Sequence, residues 1–104
     1  MIVRKWQARI RTKDERAYIA YIDETGAADI GGTEGNLGFQ ILTRRHPDET
    51  TTIVMLSWWR DLDAIRRFAG EDYEKARYYA EDDRYLLEMN ETVEHYVVAI
   101  DRRG

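Results

Sequence analysis

An α+β fold, with two helices on one face of a four-stranded antiparallel sheet, is predicted by three features of this sequence. Segments 2–10, 37–45, 50–59 and 93–100 carry strand-like patterns. Apolar residues at helical spacing follow Thr12 and Asp61. The third feature is the run Ile53-Val54-Met55-Leu56, apolar on both sides, which leads into the pair Trp58-Trp59.

In the first segment Ile2, Trp6, Ala8 and Ile10 share a face with Arg4, opposite Val3, Lys5, Gln7 and Arg9. Thr12-Lys13-Asp14-Glu15 has the form of a capping box, whose hydroxyl and carboxylate satisfy amide donors at a helix start. The helix that follows carries Tyr18, Tyr21, Ile22 and Thr25 as its stripe, and Gly26 is placed to end it in a left-handed conformation. Residues 26–36, GAADIGGTEGN, are glycine-rich. No strand precedes them and no lysine follows the glycines, so they read as a flexible connection or pocket-edge loop rather than a phosphate cradle.

Leu37, Phe39, Ile41 and Thr43 form one face of the second strand, His46-Pro47-Asp48-Glu49 is a turn, and residues 50–59 complete the hairpin. Asp61 caps a helix with Leu62, Ile65, Phe68 and Ala69 inward and Gly70 as its stop. A short helix over 71–79, an exposed charged turn at 81–84 and a last strand over 93–100 complete the order βαββαβ, the split βαβ or ferredoxin-like plan. Neighbouring strand residues point to opposite faces, so one tryptophan of the pair belongs against the helices and the other on the far side. Helices cover only one face of the two-sided strand. The sheet of a second copy is the economical cover for the other, which predicts a homodimer.

The length of 104 residues suits a single domain over 1–104. Sixteen basic against twenty acidic residues, with no basic block, argue against a nucleic-acid partner. Cysteine is absent, which excludes disulfides, thiolate metal sites and thiol nucleophiles, and fits a cytoplasmic location. No run approaches the roughly 20 apolar residues of a membrane span, so no membrane association is expected. With two histidines far apart in the chain and no nucleotide fingerprint, neither a metal nor a tightly bound cofactor is expected.

Three stretches, EGNLG (34–38), LSWWRDLDAIRRFAGEDYEKARYYAEDDRYLLE (56–88) and VEHYVVA (93–99), give the chain a resemblance to the antibiotic biosynthesis monooxygenase-like branch of the dimeric α/β-barrel superfamily. The long middle block is similar to a branch of small bacterial proteins that often has proline where this chain has Ala80. The resemblance implies a homodimer of ferredoxin-like subunits, with a pocket between sheet and helices. It implies either a cofactor-independent monooxygenase acting on a small electron-rich aromatic (a phenol, quinol or polyketide-like molecule) or a non-catalytic small-molecule-binding module of the same fold. Haem-degrading relatives carry an axial histidine about nineteen residues after the tryptophan that ends the third strand. This chain has Tyr78 there, and tyrosine ligates ferric haem in other folds.

The candidate site residues follow from chemistry rather than from a motif. His95, on an otherwise apolar strand face, is either a proton acceptor titrating near neutrality or a buried imidazole held by a neighbour. His46 sits in a polar turn. Tyr78, Tyr79 and Tyr21 can donate to a phenolic oxygen, with Tyr78 paired to His95 as a catalytic candidate; all three also suit an amphipathic wall. Trp6, Phe39 and Trp59 can stack on a flat ring or simply pack the core, and Asn36 can orient a carbonyl or form a turn. Glu71-Asp72 suits a helix start.

Overall fold

The alternation of residues 2–11 and 50–59 produces the central pair of the sheet. In the computed structural model, which describes residues 1–103, β1 (Ile2–Arg11) and β3 (Thr50–Trp59) pair antiparallel along their whole length, from Ile2 opposite Trp59 to Arg11 opposite Thr50. β2 (Asn36–Arg45) flanks β3, while β4 (Leu86–Glu88) and β5 (Glu94–Val97) divide the other edge of β1 between them. The order β2-β3-β1-β4/β5 is that of the predicted ferredoxin-like plan. α1 (Glu15–Glu24), α2 (Gly26–Gly31) and α3 (Leu62–Ala69) contribute Tyr18, Ile22, Ala27, Ile30, Ala64, Ile65 and Phe68 to the core, with a four-residue turn of helix, α4 (Asp82–Tyr85), beyond them.

The tryptophan pair divides as the strand geometry requires. Trp59 is fully buried, stacks on Phe68 with ring centroids 5.7 Å apart, and donates from its indole nitrogen to the Ser57 hydroxyl at 2.9 Å. Trp58 points to the other face beside the half-buried Leu56 and Val54, opposite Gly38 on β2. No helix covers that face; within the chain Arg103 of the C-terminal segment lies over the Trp58 ring, 5.1 Å from its centroid. It also carries Leu42 and Tyr96, both exposed.

Local chemistry explains α3. The Asp61 carboxylate accepts from the Ala64 amide at 2.9 Å, and Gly70, at φ 88°, closes the helix as expected. Gly35 is constrained by packing as well as by its φ of 93°: a Cβ there would lie 2.4 Å from Ala64 Cβ. Its carbonyl accepts from the Arg60 amide at 2.9 Å, which seats the turn before β2 against the start of α3.

Five expectations about local structure are corrected. The Thr12 hydroxyl bonds that of Thr51 instead of capping a helix, and Glu15 turns outward to Arg45, so Thr12–Asp14 is a 3-10 turn leading into α1. Gly26 does not stop a helix: Thr25 carries the break, and Gly26 opens α2 because Ala27 and Ile30 have core to bury. A register shift between Asn36 and Gly38 removes Leu37 from the face of Phe39, Ile41 and Thr43 and leaves it 57 % exposed. Residues 71–79 are not helical. The carbonyls of Tyr73 and Lys75 accept from the Arg4 side chain, and the Ala76 amide bonds the Glu91 carbonyl, so these backbone groups are taken by distant partners. The terminal strand is shorter than predicted, and β4 precedes it.

Candidate functional site

Between the sheet and the helices lies a hollow whose floor is Arg4 and Trp6 from β1 with Met55 and Ser57 from β3. Tyr18, Ile22, Ile30 and Phe68 form the roof, with Thr25 and Gly26 at the α1–α2 break; Arg77, Tyr79 and Asp82 close the side. Its enclosed part offers about 40 Å³ to the centres of water-sized molecules, and the whole hollow with its mouth about 480 Å³. By its inner volume it holds two or three waters. The walls are mostly apolar with a few convergent polar groups, the composition of small-molecule sites.

Arg4 was visible in the sequence as the one charge on the apolar face of β1. The residue is 3 % exposed, and its guanidinium donates to the Tyr73 carbonyl at 2.6 Å and the Lys75 carbonyl at 3.4 Å. Burial, and then the charge of Arg77, lower its pKa to about 10, so it is protonated at neutral pH. Both cations lie over the Phe68 ring, Arg77 at 4.9 Å and Arg4 at 5.5 Å from the centroid.

Asp82, expected in an exposed turn, is 4 % exposed. One of its oxygens accepts from the Tyr18 hydroxyl at 2.8 Å and the other from the Tyr79 amide at 2.6 Å. Burial, reinforced by the Asp82 charge, pushes the Tyr18 phenol far above its usual range. Tyr18 therefore stays protonated, with its proton directed at Asp82 and its oxygen lone pairs free to accept. Asp29 of α2 accepts from the hydroxyl of the lining residue Tyr79 at 2.5 Å and lies 3.6 Å from Arg77, tying α2 to the segment before α4.

Of the residues singled out from the sequence, the structure brings Trp6 and Tyr79 to this hollow. Trp59 is core. Phe39 lies on the helix-facing side of β2, and Tyr21 accepts from the Glu81 amide at 2.9 Å while packing on Tyr18 and Tyr85. Asn36 holds the bulge of β2, donating to the Trp58 carbonyl and accepting from the Gly38 amide. The Tyr78 hydroxyl donates to the Asn90 carbonyl at 2.5 Å, in a separate surface groove with Met89 and Thr92. Sequence reasoning missed Arg4, Tyr18 and Asp82, and only Arg4 carried a signal.

His95 pairs across the sheet with Arg4 and lies outside the hollow's lining. Its Nε2 is 3.2 Å from Arg4 Nη1, which has only protons to offer, so Nε2 is the acceptor and the ring is neutral. Burial, and then Arg4, lower its pKa to about 4. A depressed histidine pKa means that the unfolded chain takes up a proton before the folded one. The contribution is complete above pH 6.5 and is lost as pH falls toward 4. Because the ring keeps some contact with water, we expect that fall to cost about 1 to 2 kcal/mol. Urea melts of wild type and His95→Gln across this window should converge at the acid end; parallel curves would refute the coupling.

The sequence pattern of the family described as "Antibiotic biosynthesis monooxygenase" matches residues 1–77, about three-quarters of the chain. The chain belongs to this family. Family membership points to a monooxygenase-like or small-molecule-binding function. Solved structures agree on the antibiotic biosynthesis monooxygenase fold. A putative antibiotic biosynthesis monooxygenase from Bacillus cereus is similar at a TM-score of 0.63 and 14% identity, over 99% of this chain and 95% of that one. A variant of MhuD with two manganese protoporphyrin IX molecules bound per active site is similar at a TM-score of 0.61 and 16% identity, over the full length of both. No curated protein matches the sequence.

The residues of this family member do not fit a porphyrin: no histidine lines the hollow, and the Tyr78 hydroxyl is committed to a carbonyl outside it. Among the described residues no three His, Cys, Asp or Glu side chains stand together as metal ligands, and no helix is long and apolar enough to cross a membrane.

Proposed function

We propose that this protein is a cofactor-independent monooxygenase of a small electron-rich aromatic, bound between sheet and helices. The observation that carries the proposal is the Tyr18–Asp82 pair opening onto a mostly apolar hollow. A phenol or anthrone passes its proton to the Tyr18 oxygen as Tyr18 passes its own to Asp82, and the resulting carbanion or phenolate is electron-rich enough to reduce oxygen directly. With an anthrone, one oxygen atom becomes the new carbonyl and the other leaves as water with the two hydrogens of the reacting carbon. The protein supplies a dry site, a proton acceptor and orientation. His95, neutral and engaged by Arg4, takes no part in this scheme. A non-catalytic binding module would use the same hollow without turnover.

Entry of a whole ring requires the hollow to widen. Oxygen uptake by the purified protein with quinols and anthrones tests the proposal. Turnover above the uncatalysed rate supports it, whereas binding without uptake favours the module.

We also infer a homodimer formed through the uncovered sheet face. Val54, Leu56, Trp58, Leu42 and Tyr96 present apolar surface there, and the far face of β3 is half-buried with no helix over it, the Arg103 side chain alone lying on the Trp58 ring among the described residues. Sedimentation equilibrium should give twice the chain mass at micromolar concentration. Trp58→Glu should shift the species to monomer, since it places a carboxylate among the apolar residues of that face; a wild-type monomer would contradict the inference.

A further inference from the structure

Arg4 is a cation without a counter-ion. Among the described residues no carboxylate lies within 4 Å of its guanidinium, and its partners are two carbonyls and a neutral imidazole. A buried charge is costly unless paired, so an unpaired one lining this hollow marks where a charge is to be supplied. The carboxylates nearby are engaged elsewhere: Asp82 by Tyr18 and the Tyr79 amide, Asp29 by Tyr79 and Arg77. A second, independent observation points the same way. The indole N–H of Trp6, in the wall of the same hollow, is buried and has no acceptor. Native structures leave few such donors unpaired.

We propose that the ligand of this hollow binds as an oxyanion, a phenolate or enolate whose charged oxygen faces Arg4 and accepts from it and from Trp6. The inference rests on the small-aromatic reading above and narrows it to aromatics bearing an acidic hydroxyl. Arg4 is then the residue that sets specificity, distinguishing a phenolate from a neutral ring of the same shape. It also divides the labour of the site. Tyr18 and Asp82 receive the proton, and Arg4 holds the charge left behind.

The test is an absorbance titration of the full-length protein with para-nitrophenol, whose phenol and phenolate forms absorb at different wavelengths, alongside nitrobenzene as a neutral ring of similar shape. Bound to wild type, the phenol should have its apparent pKa lowered by about 1 to 3, the range an adjacent cation produces, equivalent to a tenfold to thousandfold preference for the anion. Arg4→Gln should remove most of the shift, leaving only what Arg77 at the side of the hollow supplies, while nitrobenzene binding persists, and Arg4→Lys should retain more of it. Arg4 also braces the 73–75 segment, so circular dichroism accompanies each variant; the wild-type spectrum decides the matter even if both variants unfold. An unshifted phenol bound no more tightly than nitrobenzene overturns the oxyanion inference and leaves the small-aromatic site intact. Binding of neither probe overturns both.

Discussion

Trp59→Ala should lower stability by about 3 to 5 kcal/mol, the cost of truncating a fully buried large aromatic. The indole of Trp59 is fully buried in the helix-facing layer, stacks on Phe68 and donates to the hydroxyl of Ser57, a residue only 1 % exposed. Its removal leaves a cavity and strips a buried hydroxyl of its partner. Against a margin of roughly 5 to 15 kcal/mol, such a loss brings a domain of this size close to unfolding. Denaturant melts should register it directly. Trp58→Ala provides the contrast: its side chain is only half-buried in the single chain, so its effect should fall mainly on association. Equal losses at the two positions would refute the division of the pair between the two faces.

Tyr18→Phe should reduce oxygen uptake by about 10² to 10⁴, the contribution of a positioned proton-transfer group. Phenylalanine keeps the ring packing against Tyr85, whose centroid lies 5.2 Å away, but has no oxygen to relay a proton. Asp82→Asn should give a loss of similar size for a different reason. An asparagine must turn its carbonyl to the Tyr79 amide and its NH₂ to the Tyr18 oxygen, which reverses the tyrosine hydroxyl and leaves nothing able to take the proton. Both variants should still bind nitrobenzene. Retention of the full rate by either would remove the relay from the mechanism, and loss of binding as well as rate would assign the pair to structure.

The strands were legible because a two-residue period with one buried face is hard to mimic: Trp6, Ala8 and Ile10 on β1 and the two-sided run in β3 fixed the centre of the sheet. The α3 cap was legible for a similar reason, since Asp61 and Gly70 act through their own backbones. What failed was whatever depended on distant partners. Thr12 had the spacing of a capping box, yet Thr51 lay closer to its hydroxyl once the strands paired. Residues 71–79 had helical composition, but Arg4, far away in sequence, claimed two of their carbonyls. Asp82 looked like surface because a carboxylate among charges usually is, and its burial is offset by the Tyr18 hydroxyl arriving from α1 together with the Tyr79 amide. The site itself lies where these long-range contacts converge, so Trp6 and Tyr79 were found as aromatics while Tyr18 and Asp82 were not.

The location of the site is tested most directly by chemical-shift mapping with a phenol titrated into isotope-labelled protein. The account predicts that the Trp6 indole N–H, the Met55 and Ile30 methyls and the Gly26 amide move together and saturate. Shifts confined to the outer groove around Tyr78, Asn90 and Thr92, with the Trp6 indole unmoved, would contradict it.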